Sequence, residues 1–398
     1  MTTRRTKTVA AASRLGRFTE SVIREQTRLA RVHEAVNLAQ GFPDFPCPPE
    51  LKELSRRAID EDHNQYSITW GLPGLRAAIA KKAKAFNGIV ANPETEVTVT
   101  CGSTEAMMCA FLGLVDPGKE VILFQPFYEN YQPDSYLSGA KPVHVAMHPD
   151  ARTGEWTFDE KELARAFGPR TAAVVITTPH NPTGKVFSRA ELEIISKLCQ
   201  KWGAKVFSDE IYEHIVYEGR HVSPASVPGL EDRTVTINSA SKTYGVTGWR
   251  VGWAIAPAPL SESMRKVHDF LTVCAATPLQ TAVQGALALP ASYYRGMAAE
   301  YRERREFILK GLTDTGFKPF KPRGAYYVMA DASAHLGRGK PKDDTELARL
   351  LVEEIGVAAV PGSSFYRAGK QGRSDLLRFC FCKKEETLTA AVERLKKL

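Results

Sequence analysis

One stretch gathers residue types that could do chemistry together. Residues 239–253 read S-A-S-K-T-Y-G-V-T-G-W-R-V-G-W. They lie between two apolar runs, Thr234 to Ile237 and Val251 to Ala256, both of which read as strands. Small residues let a backbone approach a ligand closely. Ser and Arg suit a phosphate, Arg through its planar fork. A Lys in a partly desolvated pocket loses proton affinity and becomes a nucleophile toward aldehydes. Lys242, with Arg250 eight residues on and hydroxyls between, would suit an aldehyde that carries a phosphate. Taken singly, the stretch also reads as a polar loop with a surface Lys.

Other strand ends change that balance, because ligands of parallel sheets sit at the carboxyl ends of strands. After 96–100 comes C-G-S-T-E-A, where Ser103 and Thr104 open a helix and could either cap it or bind an anion. After 121–124 come Phe127 and Tyr128, one of which could stack on a flat ring. After 172–177 comes T-P-H-N-P-T-G-K, in which two Pro flank His180-Asn181 and aim one amide. After 205–208 comes S-D-E-I-Y-E-H, with Asp209 and Tyr212 three apart and able to face one ligand. A buried Asp needs a cationic partner, and a protonated pyridine nitrogen would serve. Together these groups match what pyridoxal 5'-phosphate requires at each of its edges.

The elements that must position them follow from periodicity. Residues 18–36 read as a helix, and Asn37 to Pro49 as an extended crossing segment rich in Pro. A helix follows at 49–62, then a Gly/Pro-punctuated loop from Asn64 to Leu75. From about 95 the pattern is strand, loop, helix, repeated, with strands at 96–100, 121–124, 142–146, 172–177, 205–208, 234–237 and 251–256. Short apolar runs of this kind are buried on both faces. The expected fold is α/β: a mainly parallel seven-stranded sheet flanked by helices, with a smaller α+β domain. A helix near 258–272 is expected to lead away from the sheet, and 281–313 to be a solvated connecting helix. The last hundred residues hold short strands near 317–320, 325–330, 357–360 and 376–381, with helices near 344–355 and 384–397. The division is a tail to 17, an arm 18–48, a large domain 49–280 and a small domain 281–398.

Composition excludes several classes. Of the 398 residues, 43% are hydrophobic and 25% charged, as in ordinary globular proteins. No run approaches the roughly 18 apolar residues of a membrane helix. The net charge of +8 fits anionic small molecules as well as it fits nucleic acid, and no nucleic-acid module signature is present. Seven Cys lack metal-ligand spacing, which implies no metal and a reducing, cytoplasmic compartment. Arg4, Arg5, Lys7, Arg14 and Arg17, with no acid among the first 17 residues, read as a short flexible tail or as an organelle transit peptide.

H-N-P-T-G-K, S-D-E-I-Y-E-H and S-K-T-Y-G-V-T-G-W-R-V-G-W resemble the signatures of class I/II aminotransferases, pyridoxal-phosphate enzymes of fold type I. The likeness runs from about residue 18 to 398, and is greatest to the kynurenine, glutamine and methionine branch. It implies that Lys242 bonds the cofactor aldehyde and carries the proton, and that Asp209 pairs with the pyridine nitrogen. Asn181 and Tyr212 would donate to the ring oxygen, Tyr128 would stack, and Ser103, Thr104, Ser239 and Arg250 would hold the phosphate. Tyr66 would reach in from a second subunit of a homodimer. Arg378 would clamp the substrate α-carboxylate, with Gly41 and Asn181 beside it.

The implied reaction moves an amino group from an L-amino acid to a 2-oxo acid in two half-reactions. Kynurenine-type members carry an aromatic residue and a His where this chain has Val273-Cys274, so a smaller or more open substrate wall is expected. Some aspartate-using relatives carry a Lys where this chain has Thr104, which leaves a second carboxylate without an evident partner. Neutral or aromatic donors are therefore expected. The rivals are aspartate transamination, β-elimination from cysteine S-conjugates, and a regulator that senses the cofactor. The last would need a DNA-binding domain, for which the 17 residues before Phe18 are too few.

Overall fold

The structure is a computed structural model that describes residues 12–150, 152–367 and 372–398. The first strand, β1 (Val36–Asn37), lies in the arm. The large sheet comprises β2 (Val97–Thr100), β3 (Glu120–Gln125), β4 (Lys141–Pro149), β5 (Trp156–Phe158), β6 (Thr171–Thr177), β7 (Lys205–Asp209), β8 (Thr234–Ser239) and β9 (Gly252–Ile255). Its order is β2-β9-β8-β7-β6-β3-β4-β5. The pairs β8/β7, β7/β6, β6/β3 and β3/β4 are parallel, whereas β9 and β5 run antiparallel to their neighbours. All seven expected strands form, because runs such as Val-Ile-Leu-Phe and Ala-Val-Val-Ile bury side chains on both faces. The eighth, β5, is three residues at the sheet edge, too short for its alternation to stand out.

Five further strands and β1 build the smaller unit. They are β10 (Lys318–Pro319), β11 (Tyr327–Asp331), β12 (Val357–Ala358) and β13 (Val360–Pro361), joined by β14 (Leu376–Cys380). The order β10-β11-β14-β13 is antiparallel, and β1 pairs parallel with β12. The arm helix spans Val22–Val32, shorter than 18–36, because Ser21 caps its start and residues 36–37 leave as β1. Leu38 N donates to Ala358 O and accepts at its carbonyl from Cys380 N, which binds the crossing segment to the smaller sheet.

Several expectations need correcting. Helix Ala258–Leu271 does not lead away from the sheet: Met264 is buried with Phe111, and Arg265 donates to Val97 O (2.7 Å) and Thr98 Oγ1 (3.0 Å) on edge strand β2. The 281–313 stretch is two helices, Thr277–Ala286 and Ala291–Asp314, separated at Pro290, which lacks the N–H to continue one. Its Arg/Glu-rich middle is not simply solvated. Tyr301 is buried, and Arg305 bonds Pro322 O at 2.8 Å and stacks 4.5 Å from the Tyr217 ring centre. The tail expectation lies largely outside the described residues, but Ser13–Arg17 form a 3-10 turn. Among the described residues, no helix is long and apolar enough to cross a membrane. All seven cysteines are free thiols.

A buried ionic network fixes the loop after β7 from behind. Glu213 pairs with Lys82 and accepts from Asn87 Nδ2 at 2.7 Å. Glu210 accepts from Ser208 and Ser223 hydroxyls, each at 2.8 Å, and meets His221 Nε2 at 2.7 Å. Burial alone would raise the Glu213 carboxyl, yet Lys82, His214 and His221 hold it at about 2. Its folded value thus lies below the unfolded one, and its stabilisation persists from neutral pH down to the acid range, fading as pH falls from about 4.5 to about 2. Lys82→Met would strand a buried carboxylate and cost about 3–5 kcal/mol at pH 7. The urea midpoint should fall markedly for that variant, whereas Arg28→Ala, which breaks the exposed pair to Glu20, should leave it unchanged.

Candidate active site

A cleft of about 730 Å3 opens at the carboxyl ends of the parallel strands. Of the residues singled out above, Gly41, Ser103, Thr104, Tyr128, Asn181, Asp209, Tyr212, Lys242 and Arg250 line it. Three do not. Ser239 lies fully buried beneath the surface, with an Oγ that has no partner. Arg378 is fully buried behind the arm. Tyr66 is 80% exposed on the outside of the chain.

Asp209 and Lys242 come from the ends of adjacent strands, β7 and β8, whose register sets Asp209 beside Ile237. The Asp209 carboxylate accepts from Tyr131 OH at 2.7 Å. Burial pushes Asp209 up to about 6, against the Tyr131 hydrogen bond, the Ile211 N–H and the nearby Lys242 charge. Enclosure pushes Lys242 down to about 8; Arg250 and Arg378 act in the same direction, while Asp209 and Cys382 oppose. Lys242 Nζ donates to Gly41 O at 3.0 Å, so the arm touches the lysine directly. A Cβ at Gly41 would lie 2.0 Å from the Tyr327 hydroxyl oxygen, which leaves glycine as the residue that fits.

The anion end is built from two segments. Helix Ser103–Leu114 starts at Gly102, whose φ is +82° and which offers no side-chain cap. Ser103 and Thr104 are therefore not the N-cap, and the first-turn N–H groups keep their capacity for an anion. Arg250 lies over this turn: its Nη1 donates to Thr247 O at 3.0 Å, and a Cβ at Gly102 would meet its Nη2 at 2.2 Å. Gly252 is equally constrained, since a Cβ there would lie 2.5 Å from Ser103 N.

Arg378 keeps one donor without a partner among the described residues. Nη1 donates to Asn181 Oδ1 at 2.8 Å and Nη2 to Ala39 O at 2.6 Å, while Nε has no partner among the described residues. The guanidinium lies between the Tyr327 and Phe365 rings, 4.3 and 4.8 Å from their centres. Arginine only donates, so Asn181 presents its oxygen to Arg378 and keeps its NH2 for another acceptor.

Several cleft residues escaped sequence reasoning. Tyr131 ends the Q-P-F-Y-E-N-Y run, and its three-residue spacing from Tyr128 was the available signal. Tyr128 faces the cleft, while Phe127 is core. Ser241, inside S-A-S-K, lines the cleft above Ser239. Tyr327 and Arg24 also line it and lie in no motif. Leu271 and Thr272 line the cleft of this chain, and Val273 and Cys274 are not among its lining residues; Val273 has a φ of +68° and is 43% exposed.

A mainly parallel sheet that presents a lysine, a carboxyl and a helix N-terminus at its strand ends is the architecture of fold type I pyridoxal-phosphate-dependent transferases. The chain belongs to the aminotransferase class I and II family, which it matches over residues 33–395. Enzymes of this family use pyridoxal phosphate. The chain is 40% identical over 391 residues to the probable N-succinyldiaminopimelate aminotransferase DapC of Mycobacterium tuberculosis, covering 96% of this chain and 97% of that one. The solved structure of the M. tuberculosis N-succinyldiaminopimelate aminotransferase superimposes with a TM-score of 0.93, at 40% identity, over 98% of this chain and 100% of that chain. Human kynurenine–oxoglutarate transaminase 1 is 37% identical over 398 residues, 94% of each chain. Methionine aminotransferase of Escherichia coli is 36% identical over 387 residues, 97% of this chain and 98% of that one.

Asp209 offers a test without substrate. Its folded pKa of about 6 lies above the unfolded value of 3.8, so the cofactor-free protein should lose stability as pH rises from about 4 to above 6. Asp209→Asn removes that charge. Thermal melts of the cofactor-free variant should show a flatter profile across this window and a higher Tm than wild type at pH 8, with the two similar at pH 4.

Proposed function

We propose that this aminotransferase takes neutral or aromatic L-amino acids as donors and a 2-oxo acid as acceptor at this one cleft. The observation that carries the substrate reading is Arg378: a fully buried guanidinium with no carboxylate within ion-pair distance among the described residues. A buried charge without a counter-ion costs several kcal/mol, so an anionic ligand belongs there. The α-carboxylate common to every donor and acceptor fits it.

The cleft's own groups fit the cofactor. Ser103, Thr104 and Arg250 line the cleft's anion end, and just beneath it Ser239, paired with Gly252 in the sheet, has a buried Oγ without a partner among the described residues, a set that would suit a phosphate. Asp209, held near 6 by burial, would be stabilised in its charged form by a pyridinium. Asn181 and Tyr212 would donate to the ring oxygen, and Tyr128 would cover a ring face. When bound, pyridoxal phosphate supplies an electrophilic aldehyde and an electron-accepting ring. Lys242, depressed to about 8, keeps a sizeable neutral fraction near pH 7–8, so its amine can take the substrate Cα proton.

Tyr66 would enter the site of a second copy. It is 80% exposed, with Ile68 (44%) and Phe270 (93%) exposed nearby, and His268 ties this loop to the cleft through Thr69 O. This supports a homodimer with shared sites. The free thiols support a reducing, cytoplasmic setting.

Beyond the cofactor groups, Met107, Met108, Leu271 and Thr272 supply uncharged wall, and the carboxyl groups of Glu105 and Asp134 also line the cleft, which disfavours an acidic side chain there. An apolar donor side chain gains roughly 0.8 kcal/mol per buried CH2. Arg24 favours a second reading, with an acidic side chain, because it places a cation at the exposed edge of the cleft. The test is kcat/KM for methionine, glutamine, phenylalanine and aspartate with a common oxo acid. The neutral donors should lead; aspartate ahead by tenfold, with that lead lost in Arg24→Ala, would establish the acidic reading instead. Pyruvate and ammonia from a cysteine S-conjugate, without accumulation of the aminated cofactor, would mark β-elimination.

A further inference from the structure

Tyr327 touches three of the residues on which the proposed reading of the cleft depends. Its hydroxyl lies 3.0 Å from the Tyr212 hydroxyl, and the two rings stand edge to face, with centres 5.8 Å apart. Its ring carries the Arg378 guanidinium 4.3 Å from its centre. Its hydroxyl also abuts Gly41, where a Cβ would come within 2.0 Å. Tyr327 is only 3% exposed, and that exposure faces the cleft. The side chain is aimed by unusual backbone: Ala325, two residues earlier, has a φ of +56°. Its N–H is fixed to Ile215 O at 2.9 Å, and its carbonyl accepts from Tyr217 OH at 2.5 Å. Such a conformation persists where surroundings over-determine it.

We propose that Tyr327 is a positioning residue whose hydroxyl donates to Tyr212, so that the Tyr212 proton is directed at the cofactor ring oxygen, and whose ring seats Arg378 for the substrate carboxylate. The proposal rests on the reading of Tyr212 and Arg378 given above. Between the two hydroxyls alone the bond could run either way. A Tyr212 that gives its single proton to the ring oxygen can only accept from Tyr327, so Tyr327 is then the donor. Arg378 over the Tyr327 ring and Asp209 near Tyr212 favour the same sense. Accepting one hydrogen bond strengthens a hydroxyl as donor to the next.

The two functions separate by substitution. Tyr327→Phe keeps the ring and loses the hydroxyl; Tyr327→Leu loses both. The first readout is the pH midpoint of the visible absorbance of the cofactor-loaded protein, without substrate. Weaker donation to an anionic ring oxygen favours the protonated form, so Tyr327→Phe should move the midpoint up by about 0.5–1 unit, three- to tenfold in the ionisation constant. Tyr212→Phe should move it further, and the double variant should match Tyr212→Phe alone, because Tyr327 acts through Tyr212. In kinetics, Tyr327→Phe should lower kcat and leave donor KM within about twofold, while Tyr327→Leu should raise donor KM about tenfold through loss of the cation–π seat. A Tyr327→Phe midpoint equal to wild type, with Tyr212→Phe shifted, overturns the proposal and leaves the site reading intact. If Tyr212→Phe does not shift the midpoint, the site reading falls and the proposal with it. Additive shifts in the double variant overturn it too.

Discussion

An acid and an amine held at the ends of neighbouring parallel strands, out of bulk water, constrain the rest of this molecule. Asp209 on β7 is pushed up by burial and Lys242 after β8 is pushed down, so each is costly in its charged form. Neither shift would survive if the strands ended in solvent. The sheet keeps the two side by side, the helix from Ser103 closes the anion end, and the arm through Gly41 closes the top. The network of Lys82, Glu210, Glu213 and His221 grips the loop that carries Asp209 and Tyr212 from the side away from the cleft.

Arg378 adds a second constraint, contributed by the smaller sheet. Its partners are Asn181 from the loop after β6 and Ala39 from the arm, so one guanidinium ties three separate segments together. The arrangement leaves Nε without a partner among the described residues, and in the reading proposed above the guanidinium would meet the carboxylate common to amino acids and oxo acids. On that reading, recognition of the common group would be separated from recognition of the side chain, which would fall to Leu271, Thr272, the methionines and Arg24. Relatives named for activities as different as N-succinyldiaminopimelate, kynurenine and methionine transamination are compatible with that division.

The sequence made the large sheet legible because its strands are short β-branched runs buried on both faces, a pattern that tertiary packing reinforces. The groups at strand ends were legible for the same reason: once Thr171–Thr177 and Lys205–Asp209 are strands, Asn181, Asp209 and Tyr212 must lie near one edge. What escaped reading depended on distant contacts. Tyr327 belongs to the smaller unit and meets Tyr212 across 115 positions of sequence. Arg305 looks like a solvated helix charge until Tyr217 and Pro322 cover it. The positive φ of Val273, beside Leu271 and Thr272 of the cleft lining, is likewise signalled by no composition.

The central claim is that Lys242 is the residue that bonds the cofactor. Borohydride reduction of the cofactor-loaded protein, followed by proteolysis and peptide mass mapping, tests it most directly. The account predicts a single reduced pyridoxyl adduct, on the peptide that contains Lys242. An adduct on any other lysine, or no adduct on a protein that binds the cofactor stoichiometrically, would contradict it.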